Sequence, residues 1–283
     1  MKESVLGFTC EGEPLVGILA EPDGTPADVG VLIIVGGPQY RAGSHRQFTL
    51  LARQLASDGF AALRFDYRGM GDSGGEARDF EGVDTDIAAA IDALLAARPV
   101  LKRVALWGLC DAASAALLYV QATGDPRVAG LCLLNPWVRS AATLAQTHVK
   151  HYYWRRMREK GFWLKLLRGG VGLAALRGLG SNLRLARGAG RGAGTTLAFQ
   201  ERMAVGLDGF AGPALLMLSG DDYTAQEFIE YSRSSAAWAA ALQRPHLLTT
   251  PLPGADHTLS SARHRETAET HTLTWLKNIC RSD

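Results

Sequence analysis

Val104-Ala105-Leu106-Trp107-Gly108-Leu109-Cys110-Asp111-Ala112-Ala113-Ser114 is the stretch on which the fold turns. Its first four residues are apolar and suit a buried strand. From Ala112 the chain runs on as helix formers through Leu117-Leu118. A strand must therefore become a helix within a few residues. Gly108 and Ala112 stand two before and two after Cys110, and small residues at those places permit a sharp, strained turn. A side chain at the apex of such a turn is thrust out beyond the end of the strand. A free cysteine is commonly just a small buried hydrophobe, but at an apex facing a helix N-terminus it has the setting of a nucleophile. The stretch alone leaves both readings open.

On either side of this turn the chain alternates between apolar strands and amphipathic helices. Residues 5–10 and 15–20 read as two strands of a hairpin joined at Glu11-Gly12-Glu13-Pro14. Residues 31–35 (VLIIV) form a continuous apolar run, as a parallel strand covered on both faces should. Residues 48–57 have helical spacing, 61–65 read as a strand, and 87–97 as a helix stopped by Pro99. After the central turn come a helix over 112–121 and a strand over 130–134. The rhythm breaks beyond Asn135-Pro136. It resumes with a strand over 214–218, a helix over about 225–241, a strand over 246–250 and a closing helix over 262–279. Such alternation is the signature of a mostly parallel sheet with helices on both faces. One core, residues 1–138 and 209–283, is thus expected to be interrupted by an insertion over 139–208.

That insertion is built differently from its surroundings. Between Arg139 and Arg202 there are thirteen Lys/Arg against two acids, a local charge of +11 within a chain of +2, which leaves −9 elsewhere. The bulk composition is otherwise that of a globular protein, with 283 residues, 47% of them hydrophobic and a mean hydropathy of 0.00. The opening MKESVLGFTC has no signal-peptide pattern, and no apolar run approaches the 18 or so residues a membrane span needs. Cys10, Cys110, Cys132 and Cys280 are scattered, with no CxxC pair. Neither a disulfide framework nor a zinc site is expected, and a reducing cytoplasm is the default.

Three further motifs bear on Cys110. Asp66-Tyr67-Arg68-Gly69-Met70-Gly71-Asp72-Ser73 follows the strand over 61–65 and resembles the D-x-R-G-x-G-x-S loop common in α/β-hydrolases, a resemblance that implies a structural role. Leu218-Ser219-Gly220-Asp221-Asp222 follows one strand near the C-terminus, and Gly254-Ala255-Asp256-His257 follows the last. Nucleophile, acid, histidine is the chain order of the α/β-hydrolase triad, each member after a strand. Asp222 is preferred to Asp221 as the acid, because the Thr224-Ala225 that follows aligns it with the acid of similar hydrolases. The alternative acid position, after the earlier strand, holds Asn135. Asp111 is no candidate nucleophile, since Leu109 two before it is too bulky for the elbow; an acid in the first helical turn favours the helix dipole instead. The oxyanion donors are expected to be the backbone N–H of Asp111 and one from Gly36-Gly37-Pro38-Gln39. Pro38 has none, so Gly37 or Gln39 donates, with Gly37 favoured; the glycine pair can also be read as a mere tight turn. Gln39 and Arg41 from this loop, with Tyr153 and Trp154 from the insertion, are the expected substrate contacts.

The loops GGPQYRAGSHR and FDYRGMGDS and the segment LWGLCDAASAALL resemble the alpha/beta hydrolase family called exosortase A system-associated hydrolase 1. The resemblance covers the core on both sides of the insertion. It implies an α/β-hydrolase fold and a setting of exopolysaccharide synthesis and sorting of PEP-CTERM proteins; it supplies no substrate. Dienelactone hydrolases and polyhydroxyalkanoate synthases are similar in using Cys, Asp and His on this fold. The function expected is acyl transfer from an ester or thioester to water or an acceptor, with no cofactor and no metal. The rival is a non-catalytic protein that keeps the fold for binding or scaffolding. A redox-sensing Cys110 lacks a resolving cysteine nearby. The insertion reads as a lid. Its charge fits a solvated basic face, a dock for an anionic substrate or acyl carrier, or contact with anionic lipid at the inner membrane face. Nucleic acid is not expected, because the charge sits on a cover over a catalytic cleft.

Overall fold

A computed structural model describes residues 1–37, 39–139 and 197–281. Eight strands make one sheet: β1 (Lys2–Cys10), β2 (Glu13–Glu21), β3 (Val29–Ile34), β4 (Ala62–Asp66), β5 (Arg103–Leu109), β6 (Val128–Leu134), β7 (Ala214–Ser219) and β8 (Leu247–Leu252). Their order is β1-β2-β4-β3-β5-β6-β7-β8. Only β1 with β2 and β2 with β4 pair antiparallel; every pairing from β4 to β8 is parallel. The hairpin is therefore the antiparallel edge of an otherwise parallel sheet. The helices among the described residues are α1 (Gln47–Ser57), α2 (Asp84–Ala97), α3 (Asp111–Thr123), α4 (Phe199–Gly209), α5 (Tyr223–Ser234), α6 (Ala236–Ala241) and α7 (Ala262–Ile279).

The period-2 geometry of a strand sorts each apolar run onto two faces. Leu32 and Ile34 of β3, Val104 and Leu106 of β5, and Leu216 of β7 join α2, α3 and α4 in one core. Val31 and Ile33, Ala105, Trp107 and Leu109, and Leu215 and Met217 join α1 and α7 in the other. Both faces are dry, so the central strands carry no polar alternation. The register of β5 against β6 shifts between Val104 and Ala105, a local bulge beside the strand that carries the elbow.

The sheet and its helices form a compact unit of Met1–Val138 with Ala198–Asp283. Residues 198–208, expected within the insertion, fall in this unit. Phe199–Gly209 is α4, which packs on α3, and Gly206 sits where any Cβ would strike the Leu117 carbonyl oxygen. Residues 140–196, Tyr153 and Trp154 among them, lie outside the described residues. The single helix expected over 225–241 is two, α5 and α6. Ser235 divides them, and its hydroxyl caps the second by accepting the Trp238 N–H at 3.4 Å. No helix of the described residues is long and apolar enough to cross a membrane.

The loop after β4 is built around buried charge. Arg68 is buried: its guanidinium donates to Asp86 at 2.8 and 2.9 Å, and the Asp86 carboxylate also takes the Arg68 N–H at 2.9 Å. Ser73 donates to the Asp66 carbonyl at 2.6 Å and accepts the Val16 N–H at 2.9 Å, which ties the loop to β2.

Candidate active site

Cys110 lies at the junction of β5 and α3 with φ 63° and ψ −124°. A non-glycine residue pays on the order of 1–3 kcal/mol for such backbone, and the surroundings enforce it. The Cys110 N–H still bonds the Leu134 carbonyl of the neighbouring strand at 2.9 Å, while its carbonyl already accepts the Ala113, Ser114 and Trp137 N–H groups. Gly108 has no alternative, since a Cβ there would stand 2.6 Å from the Ala112 carbonyl carbon and oxygen. Ala112, in place of the motif's second glycine, is accommodated and buried. The thiol-bearing residue is half-buried, whereas Cys132 is fully buried and its thiol is pushed up to about 12 by that burial.

The ends of β7 and β8 bring the acid and the histidine together. His257 Nδ1 and Asp222 Oδ2 are 2.8 Å apart, and the other Asp222 oxygen caps α5 by accepting the Thr224 N–H at 3.0 Å. Asp222 is buried and Asp221 exposed, so it is Asp222 that meets the imidazole. The hydrogen bond that the ring donates to Asp222 holds His257 above its ordinary range; burial opposes this, and the charges of Asp222, Asp111 and Asp256 add to it. Asn135 follows β6 with φ 49° and is bonded both ways to Ser219, its amide donating at 3.0 Å and its carbonyl accepting at 2.8 Å. The alternative acid position thus ties the ends of β6 and β7 together.

The loop after β3 departs from expectation in two places. The Gly37 N–H, the expected oxyanion donor, bonds Asp111 Oδ2 at 2.7 Å. Arg41, expected to touch substrate, is instead committed to the loop after β4: its guanidinium pairs with Asp66 and Asp72, and its N–H bonds Asp66 Oδ1 at 2.6 Å. Two carboxylates satisfy the fork of the guanidinium, so Arg41 braces the two loops. Gln39 also works within its own loop, its carbonyl accepting from the Ser44 N–H at 3.1 Å and Gln47 Nε2 at 3.3 Å. A cleft of about 600 Å³ opens beside Gly37, lined among the described residues by Gln39, Tyr40, Tyr67, Met70 and Arg78 with neighbouring loop residues. Tyr67, Met70 and Arg78 were not foreseen as cleft residues, although Tyr67 and Met70 lie inside the quoted loop motif. Burial, with Asp111 nearby, pushes the Tyr67 hydroxyl up. Among the described residues no group of three His, Cys, Asp or Glu is placed to hold a metal ion.

Comparison with known proteins follows the same lines. Residues 31–270 match the model of the Alpha/beta hydrolase family. Human Protein ABHD12B is 36% identical over 106 residues, a match that takes in 35% of this chain and spans about a quarter (27%) of that protein. Among solved structures, the Pyrococcus furiosus esterase Pf2001 superposes with a TM-score of 0.63 at 15% identity, covering 98% of this chain and 92% of that one. The esterase domain of a Rhodothermus marinus protein gives 0.60 at 18%, covering 98% and 99%. At such identities these two likenesses speak for the fold alone. With its strained elbow after β5, its β7 acid and its β8 histidine, and with a family match over most of its length, the chain belongs to the alpha/beta hydrolase family.

Proposed function

We propose that this protein is an acyl hydrolase or acyltransferase in which Cys110 is the nucleophile, His257 the base and Asp222 its orienting acid. The observation that carries the reading is the strained backbone of Cys110 at the head of α3, because strain of this kind is held where a side chain must be presented to a reacting partner. The His257–Asp222 pair at 2.8 Å supports it. A thiol facing an imidazole and a helix N-terminus ionises more readily than a free one. The thiolate attacks the acyl carbon, the tetrahedral oxyanion is met by backbone N–H groups of Asp111 and Gly37, and the leaving group takes a proton from His257. The acyl group then rests on sulfur as a thioester. His257 next draws a proton from water or an acceptor hydroxyl, which attacks the thioester and frees Cys110. Asp222 keeps the ring in the tautomer whose Nε2 handles these protons.

An ester or thioester is the substrate class of this reading; the names of the P. furiosus and R. marinus neighbours, both esterases, support the ester half of it. The finer reading adds membership of the exosortase A system-associated hydrolases, supported by the GLCDAAS segment. It also adds a cytoplasmic enzyme whose basic residues 139–202 meet an anionic substrate, an acyl carrier or the inner membrane face. The test is a panel of p-nitrophenyl esters and acyl-coenzyme A thioesters of graded chain length, run with wild type and Cys110→Ala. Turnover lost by about 10³-fold in the variant is expected of a covalent nucleophile. Turnover within tenfold of wild type ends the assignment, and a wild type inert to every acyl donor favours the binding or scaffold reading.

A further inference from the structure

The Asp111 side chain does something that the elbow chemistry neither requires nor explains. Its backbone opens α3 and faces the reacting centre; its carboxylate turns back to the loop after β3. Oδ2 accepts the Gly37 N–H at 2.7 Å, the length of a charge-assisted bond. Oδ1 is buried with no well-formed hydrogen bond among the described residues, although the Ala112 and Asp111 N–H groups also act on the carboxylate, and it lies so close to Gly36 that any Cβ there would collide with it. The carboxylate thus fills the space between two loops and holds the N–H that the oxyanion needs. A hydrogen bond weakens steeply away from its axis, so this N–H serves one acceptor well and not two.

We propose that the Asp111 carboxylate competes with the developing oxyanion for the Gly37 N–H, and so sets how fast Cys110 is acylated. This rests on the reading of Cys110 as nucleophile. While ionised, Asp111 also opposes the oxyanion as a like charge; protonation or rotation of the side chain releases the N–H. Among the described residues, the titratable groups around Asp111 are Cys110 beside it in the chain, His257 from the loop after β8, and Tyr67 from the loop after β4. His257 in turn feels Asp222 and Asp256. Gly36 and Gly37 from the loop after β3 bring backbone alone. Burial shifts the ionisation of Asp111 upward, against the pull of the surrounding N–H groups and of His257. The release therefore falls above the usual carboxylate range.

The test compares wild type with Asp111→Asn, an isosteric neutral change, by single-turnover acylation with p-nitrophenyl acetate across the acid-to-neutral range. The site of acylation is read by intact and peptide mass spectrometry, and the Gly37 amide is followed by ¹H–¹⁵N NMR. The ratio of variant to wild-type rate should lie near one at the acid end and rise to about tenfold at neutral pH. That gain is part of the roughly 10²–10³ that one oxyanion donor is worth, because the amide oxygen still accepts weakly. The Gly37 amide should titrate in wild type and cease to do so in the variant. A ratio at or below one throughout, with residue 110 acylated, overturns the proposal and leaves the nucleophile assignment standing. A Gly37 amide indifferent to pH in wild type overturns it without reference to the variant. Acylation absent from residue 110 in both proteins removes the assignment itself, and the competition with it.

Discussion

Replacing Asp222 with Asn isolates what its charge does. Asn is as good a helix N-cap as Asp, so the bond from the Thr224 N–H, 3.0 Å in the wild type, is retained. What changes is the 2.8 Å contact with His257 Nδ1. A neutral amide can turn its NH₂ to the ring, which fixes the wrong tautomer and leaves Nε2 protonated. Loss of a charge-assisted hydrogen bond costs about 1.5–3 kcal/mol, and the tautomer adds to it. At about 1.4 kcal/mol per decade, kcat/KM should fall by roughly 10²–10⁴. The loss sits toward the lower end, because a thiol needs less help to ionise than a hydroxyl. Stability carries a separate signature. His257 is raised in the folded chain, so its contribution is full below the unfolded imidazole value of about 6.5 and fades as pH rises through the higher folded value. The Asn variant should therefore melt furthest below wild type at mildly acid pH and come closest to it in alkali. Ester hydrolysis and calorimetry at several pH values read both. Asp221→Asn, at an exposed side chain, should change neither by more than about twofold. A more damaging Asp221→Asn, or Asp222→Asn within tenfold of wild type, would refute the reasoning.

Other outcomes follow from the same geometry. Gly36→Ala places a methyl against Asp111 Oδ1 and 2.8 Å from the Ala112 N; about 1–3 kcal/mol should be lost to overpacking in urea melts. Asp86→Asn leaves the buried Arg68 guanidinium with only Glu11 as counter-charge, which should cost up to about 3 kcal/mol, the low end for a broken buried pair, in denaturant titration while the folded fraction keeps its kcat. Replacing Arg155, Arg156 and Arg158 with Gln should raise KM for an acyl-coenzyme A at low salt and flatten its ionic-strength dependence, since exposed charges act within about 8 Å at physiological salt. A neutral p-nitrophenyl ester should be indifferent to that change, and anionic vesicles that lose the variant while kinetics hold would mark a lipid contact instead.

The parts of this molecule legible in its sequence are those whose cause is local. Gly108, Cys110 and Ala112 mark the elbow because the sharp turn admits little else, and the apolar runs of β3 and β5 declare burial on both faces. Asp222 is preferred to Asp221 only through resemblance, the Thr224-Ala225 that follows aligning it with the acid of similar hydrolases; the two adjacent carboxylates by themselves do not say which is buried. What escaped depends on partners distant in sequence. Arg41 reads as a cation beside a catalytic loop until Asp66 and Asp72, 25 and 31 residues away, are seen to take it. Helix α4 hides in an Arg- and Gly-rich stretch because its reason for being a helix lies in α3, against which Gly206 lets it settle. Asp111 signals a favourable first-turn acid, and nothing in its neighbourhood of sequence reveals that its carboxylate reaches back 74 residues to Gly37.

The central claim, that the reaction passes through sulfur at position 110, is tested most directly by quenching the enzyme during turnover of a p-nitrophenyl ester and weighing it intact. The account predicts a mass increase of one acyl group, released by hydroxylamine, mapped to the peptide bearing Cys110 and absent from Cys110→Ala. A wild-type enzyme that turns over the ester with no adduct on Cys110, or that carries it equally in Cys110→Ala, would contradict the account.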